Sequence, residues 1–185
     1  MSSEVLTADA AATPRVTPNE FDRARLEKWV RRMRNPLLIR FFLLGKLPLG
    51  FVAGLRVKDA DEHRCEVTVP YGWRTQNPFR STYFAAQSMA AEMSTGVLAM
   101  LACDLAPASV AMLIVDLEAS FGKKATDTTT FTCEDGDALF AAVARAVETG
   151  EPQTVRTETV GRMPNGVEVS RFAFTWSFKK RAAVT

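Results

Sequence analysis

A chain of 185 residues is long enough for one domain with a sizeable core, and 47% hydrophobic with 24% charged residues is the composition of an ordinary globular protein. A net charge of +2 is too small to argue for nucleic acid as a partner. Cys65, Cys103 and Cys133 are odd in number and widely spaced, and with the single His63 they form neither a CxxC pair nor a metal-ligand cluster. They read as reduced thiols of a cytoplasmic chain, with no metal and no cofactor expected. No basic segment followed by an apolar run opens the sequence, so no signal peptide is expected either.

Residues 1–16 are rich in Ser, Thr and Ala and predict a disordered tail. Thr17 as N-cap, Pro18 at the first helical position and Glu20 closing a capping box then predict a helix running to about Arg34. Asn35-Pro36 ends it. The apolar run LLIRFFLLGKLPLGF predicts a short helix reaching Gly45, followed by a loop through Pro48 and Gly50. Residues 17–49 thus form a helical extension. Between Arg23 and Lys46 lie eight basic residues, against Glu27 alone as an acid. Such a face can meet anionic lipid or a ligand's phosphates, but charge runs more often solvate a surface, which is the preferred reading.

From residue 51 the pattern changes to strands. GLRVKDA is followed by a turn at 59–62 and by HRCEVTVPY, in which Cys65, Val67 and Val69 alternate with Arg64, Glu66 and Thr68. The stretch NPFRSTYFAAQSMAAEMSTGVLAMLAC, residues 77–103, turns at Pro78 and then predicts about six turns of helix. Met89, Met93, Val97 and Met100 make one apolar stripe of it, and Ala85, Ser88, Glu92 and Gly96 another. Apolar or small almost all round, the helix belongs at the centre of a domain, and its polar members argue against a membrane span. Glu92 is the only charge between Ser81 and Cys103. A carboxylate there is costly to ionise unless paired, so Glu92 is the candidate functional acid, or else a structural acid paired with Arg74 or Arg80.

VAMLIVDLEASF is mostly apolar and predicts a strand internal to a sheet. ATDTTTFTCE is a further strand, and residues 137–149 predict an amphipathic helix ended by Gly150. QTVRTETVGRM and VEVSRFAFTWSFKK flank the Pro164-Asn165-Gly166 turn, a strong hairpin signal. Phe172, Phe174, Trp176 and Phe178 then share one face, suited to covering a buried helix. One sheet must wrap the one long helix, which makes the fold α+β rather than doubly wound α/β.

That order, with the 77–103 stretch, resembles the hotdog fold of acyl-coenzyme A thioesterases, the phenylacetate-pathway type in particular. Those proteins carry an Asn, a His-Gly-Gly six residues later, an acid nine after the His and a Gly four after that. Asn77, Glu92 and Gly96 fall on this spacing, while Tyr83, Phe84 and Ala85 stand in place of His-Gly-Gly. The layout with its N-terminal helices is closer to a hotdog-like family described only as a domain of unknown function. The resemblance implies a hotdog domain over residues 50–181, an antiparallel sheet around the long helix, and an acyl-CoA or related acyl thioester or lipid ligand. It also implies a homodimer, alone or as a dimer of dimers, in which the helix acid of one subunit meets the loop Asn of the other.

Thioester hydrolysis needs a base or nucleophile near the carbonyl and donors aimed at the developing oxyanion. Glu92 would activate water or attack directly, Asn77 would orient water or carbonyl, and the N–H groups of Tyr83 and Phe84 at the helix start would receive the oxyanion. Ser88, Met89, Met93 and Gly96 would line the substrate, with Leu37, Leu38, Phe41, Phe42 and Leu44 walling an acyl tunnel beside the methionines, which predicts a preference for medium or long chains. The alternatives are a turn-forming Asn77, a packing role for Tyr83, and a non-catalytic acyl- or lipid-binding protein.

Overall fold

The computed structural model describes residues 23–182. Among them the chain runs α1 (Arg23–Met33), α2 (Pro36–Lys46), α3 (Pro48–Ala53), β1 (Arg56–Ala60), β2 (Cys65–Val69), α4 (Phe84–Leu105), β3 (Val110–Phe121), β4 (Thr129–Cys133), α5 (Gly136–Thr149), β5 (Gln153–Arg162) and β6 (Glu168–Lys180). The expected Thr17 cap and the tail at 1–16 lie outside the described residues. The six strands form one antiparallel sheet in the order β1-β2-β4-β5-β6-β3. As the single long helix requires, α4 packs on one face of that sheet, so the α+β architecture is the one expected.

The aromatic face of β6 does what its alternation predicts. Phe172, Phe174, Trp176 and Phe178 are all buried, and the Trp176 indole donates to the Thr95 hydroxyl of α4 at 3.1 Å. Ser94 of α4 meets Thr159 of β5, hydroxyl to hydroxyl, at 2.8 Å. The small polar residues of α4 thus spend their hydrogen-bonding capacity on the sheet and on the helix's own carbonyls, which makes their burial tolerable. Strands β5 and β6 join through the Asn165-Gly166 turn as expected, and Gly150 ends α5 in the left-handed region at φ 74°.

Two expectations are corrected. The segment through Pro48 and Gly50 is helix α3 rather than a loop, because Pro48 occupies the first turn, where a missing N–H costs nothing, and the chain turns out of the helix only at Gly54, at φ 78°. Strand β3 is not internal but the outer edge of the sheet, paired only with β6. Leu113, Val115, Leu117 and Phe121 are exposed along it. An apolar run records that a strand is to be covered, without recording by what.

The N-terminal helices lie at the other end of the strand order. α2 packs against α3 and β1 through Ile39 and Leu43, and Asn35 caps it by accepting from the N–H groups of Leu37 and Leu38 at 3.0 and 3.2 Å.

Candidate functional site at the start of the central helix

The loop before α4 is a small closed hairpin. Gln76 and Thr82 form an isolated antiparallel bridge, the Asn77 N–H donates to Ser81 at 2.9 Å, and the Tyr83 N–H donates to Thr75 at 2.6 Å. Asn77 organises its interior: its Oδ1 accepts from the N–H groups of Phe79 and Ser81 at 3.0 and 3.2 Å and from the Ser81 hydroxyl at 3.3 Å. Arg80 sits at φ 58°, a left-handed conformation that costs a non-glycine residue on the order of 1 kcal/mol. The hairpin is tied down from the loop after β3, where Ala125 accepts from the Thr82 N–H at 2.7 Å. It is also tied from inside, where the buried Gln87 donates to Thr82 at 3.0 Å and accepts from Ser170 at 2.7 Å.

This bonding divides the expected oxyanion donors. The Tyr83 N–H is consumed by Thr75 and is not free, because the loop register that positions Asn77 also pairs residues 75 and 83. The Phe84 N–H has no partner among the described residues, and α4 begins there without a side-chain cap. Ala85 and Ala86 follow at the same positive end of the helix. A cleft of about 530 Å³ opens in front of this helix start, lined by Asn77, Tyr83, Phe84 and Gln87 from one side and by Phe121, Lys123 and Lys124 from the other. Its floor is a ladder of edge-on rings from surface to core: Tyr83 to Phe84 at 4.9 Å between centroids, Phe84 to Phe121 at 6.5 Å, and Phe121 to Phe172 at 5.6 Å.

Glu92 does not line that cleft. Eight residues further along α4, it stands about 12 Å from Phe84 along the axis. It makes no ion pair to Arg74, Arg80 or any other cation among the described residues, and burial alone pushes its carboxyl above the usual glutamate range. The structural-acid alternative thus lacks its partner among the described residues. Gly96, one turn on, keeps the space free: a Cβ there would stand 3.0 Å from Glu92 Oε1 and 3.5 Å from the Trp176 ring. Met93 is buried, while Ser88 and Met89 are half-buried on the same side of the helix as Glu92.

The structure also separates the expected tunnel walls. Phe41 and Phe42 lie on α2, over β1 and α3, and the cavity beside α2 is lined by Pro36, Leu37, Ile39, Arg40, Leu43 and Phe51 with residues of β1 and β2. It does not reach Met89 or Met93. Sequence reasoning missed Phe121, Lys123, Lys124 and Gln87. The lysine pair was visible only as charge, since nothing local says that the end of β3 returns to the start of α4. The thiols offer no competing nucleophile. Burial pushes Cys133 up to about 12 and Cys103 up to about 11, and it raises the fully buried Cys65 as well, so all three stay protonated near neutrality.

A long helix held against a six-stranded antiparallel sheet, with its N-terminus opening on a cleft, is the hotdog fold. The model of the family described as "Domain of unknown function (DUF4442)" matches residues 38–178, and the chain belongs to that family. Among solved structures, a Pseudomonas aeruginosa protein of unknown function, described as a probable thioesterase, is 17% identical, with a TM-score of 0.65 over 81% of this chain and 99% of that one. A thioesterase from Haemophilus influenzae is 12% identical, with a TM-score of 0.52 over 76% of this chain and 88% of its own. The PaaI protein of the Escherichia coli phenylacetic acid degradation operon is 10% identical, with a TM-score of 0.54 over 83% and 96%. At these identities the likeness concerns the fold. No curated protein matches the sequence.

Proposed function

We propose that this chain is a thioester hydrolase acting on acyl-CoA or a related acyl thioester, with each active site assembled from two copies. The observation that carries the reading is Glu92, an unpaired and mostly buried carboxyl on the helix whose N-terminus presents the free Phe84 N–H to a cleft. A buried acid without a partner is expensive to keep for packing alone, and its raised pKa suits a general base. Within one chain the acid and the donor are too far apart to act on one thioester. The reading therefore places Glu92 of one copy against the Phe84 end and Asn77 of the other. Asn77 positions the carbonyl, the free N–H groups at the helix start take the developing oxyanion, and Glu92 draws the proton from an attacking water. Lys123 and Lys124 at the rim suit the phosphates of a coenzyme A moiety.

The test is turnover of a panel of acyl-CoA thioesters, followed by mixing of two variants. Glu92→Gln and Asn77→Ala alone should each lose roughly 10²-fold or more in kcat. Refolding them together should return about a quarter of wild-type activity, since half of the dimers are mixed and each mixed dimer regains one of two sites. No recovery on mixing would place both residues in one chain's site or in none. A second reading, a non-catalytic acyl-binding protein, is favoured by the consumed Tyr83 N–H and by the Phe84 side chain standing where the resembled enzymes have glycine. Acyl-CoA binding without turnover across the whole panel would select it.

A further inference from the structure

The N-terminal helices leave a large apolar face uncovered, independently of the chemistry proposed for α4. Ile39 and Leu43 bury one side of α2, and the other side presents Leu37, Leu38, Phe41 and Leu44 to solvent, with Phe41 71% exposed. These four positions follow the i, i+1, i+4, i+7 pattern of a single helical stripe. α3 continues it with Leu49, 73% exposed, and Val52. Six large apolar side chains left exposed on two consecutive helices mark an interaction surface. No described residue covers them.

Charge says what does. From Lys28 to Lys58 the chain holds no Asp or Glu, but it holds Lys28, Arg31, Arg32, Arg34, Arg40, Lys46, Arg56 and Lys58, and the arginines and lysines of α1 and α2 are exposed. Among the described residues no cation of α1 or α2 forms an ion pair; Arg34, between the two helices, pairs with Asp59, and Lys58 of β1 pairs with Glu66. An apolar stripe on a helix that, with its neighbour α1, carries exposed cations without ion pairs among the described residues is the pattern of a helix that lies in the headgroup layer of an anionic bilayer, with its leucines and phenylalanine among the upper acyl carbons and its cations at the phosphates. A protein partner would want acids or paired polar groups around its apolar core, and a second copy of this chain would bring cations against cations.

We infer that α2 and α3, with the basic residues of α1, form a docking surface for anionic lipid membranes. No helix among the described residues is long and apolar enough to cross a bilayer, so the contact is peripheral. The protein sits on the surface with α2 parallel to it, and the remainder of the molecule stands in water.

The experiment is co-sedimentation of the full chain with vesicles of pure phosphatidylcholine and with vesicles carrying about one third phosphatidylglycerol. Pelleting with the anionic vesicles, weaker with the neutral ones and weakened by salt, is the expected result. Phe41→Asp puts a charge on the apolar stripe without touching the core, and it should lower the partition coefficient at least tenfold. The triple variant Arg31→Gln, Arg32→Gln, Lys46→Gln tests the electrostatic half separately and should lower it on the order of a hundredfold. Failure to pellet with anionic vesicles, equal pelleting with both compositions, or indifference to both variants overturns the inference. So does a solution oligomer that Phe41→Asp dissolves, which would assign the face to a second copy.

Discussion

Glu92 and Asn77, both half-buried, occupy opposite ends of what a polar side chain can do. Asn77 has its Oδ1 fully engaged by three donors of its own turn, so the turn-forming alternative for it is realised, and only its amide hydrogens remain for any substrate. Glu92 has no charged partner among the described residues, and the pKa of its carboxyl is raised by desolvation. The consequence for stability has a definite sign. With the folded-state pKa above the unfolded one, the folded chain binds the extra proton between the two values, so the contribution of Glu92 to stability is fully present below about pH 4 and is lost as pH rises through the raised value. Glu92→Gln removes that decline. The variant is expected to be at least as stable as the wild type at pH 8, with the difference vanishing toward pH 4, as read from urea midpoints at the two pH values. The wild type's kcat/KM should also lose activity on the acid side at a pH above the ordinary glutamate range, because the base must be ionised. A Glu92→Gln chain less stable than the wild type at both pH values would mean that the carboxylate has a partner that holds it.

At the scale of elements, the strongest local constraint lies away from the site, where α5 starts against the β1–β2 turn. The Gly136 N–H donates to His63 at 3.1 Å, and a Cβ on Gly136 would stand 2.1 Å from the Glu62 carbonyl oxygen and 2.7 Å from His63 Cα. Those are backbone atoms, so relief requires moving the turn or the helix. Gly136→Ala should therefore cost about 1–3 kcal/mol, seen as a lower denaturation midpoint at unchanged slope. Gly45→Ala in α2, with nothing within 4 Å, should stabilise by up to about 1 kcal/mol through helix propensity. Equal effects at the two glycines would contradict the close approach. The contrast marks what sequence could show. The α4 and β6 patterns, the Asn165-Gly166 hairpin and the Gly150 stop were legible because periodicity and turn chemistry are local. The Pro48 segment was misread because proline was taken as a breaker where it serves as a helix start. The loss of the Tyr83 N–H to Thr75 was invisible because it depends on how a hairpin closes. Phe121, Lys123 and Lys124 join the cleft only through the return of β3 to the start of α4, which no spacing along the chain encodes.

For the whole molecule, the decisive feature is the strand misplaced by sequence. β3 has twelve residues, pairs only with β6, and turns Leu113, Val115, Leu117 and Phe121 outward. A long, apolar, unpaired edge invites pairing with another chain, and natural proteins do not leave one bare. Nothing blunts this one: Asp116 and Glu118 are its only charged side chains, and Arg156 of β5 already engages Glu118 at 2.8 Å. Pairing β3 with β3 of a second copy about a two-fold axis would extend the sheet across both subunits and cover the exposed apolar side chains of this edge. The same step would bring a second chain to the half-buried side of α4 that carries Ser88, Met89 and Glu92, since Glu92 lies one turn from Gly96, which touches Trp176, and Trp176 pairs with Ile114 of β3. Such pairing would tie assembly to chemistry. Sedimentation at micromolar concentration should give a dimer, and Leu113→Asp with Leu117→Asp, placing like charges against each other across the axis, should give a folded monomer. Thioester turnover should fall with dimer content in a dilution series of that variant. A wild-type chain that stays monomeric and folded at micromolar concentration would refute the pairing, and a monomeric variant with undiminished turnover would refute the shared site while leaving the dimer intact.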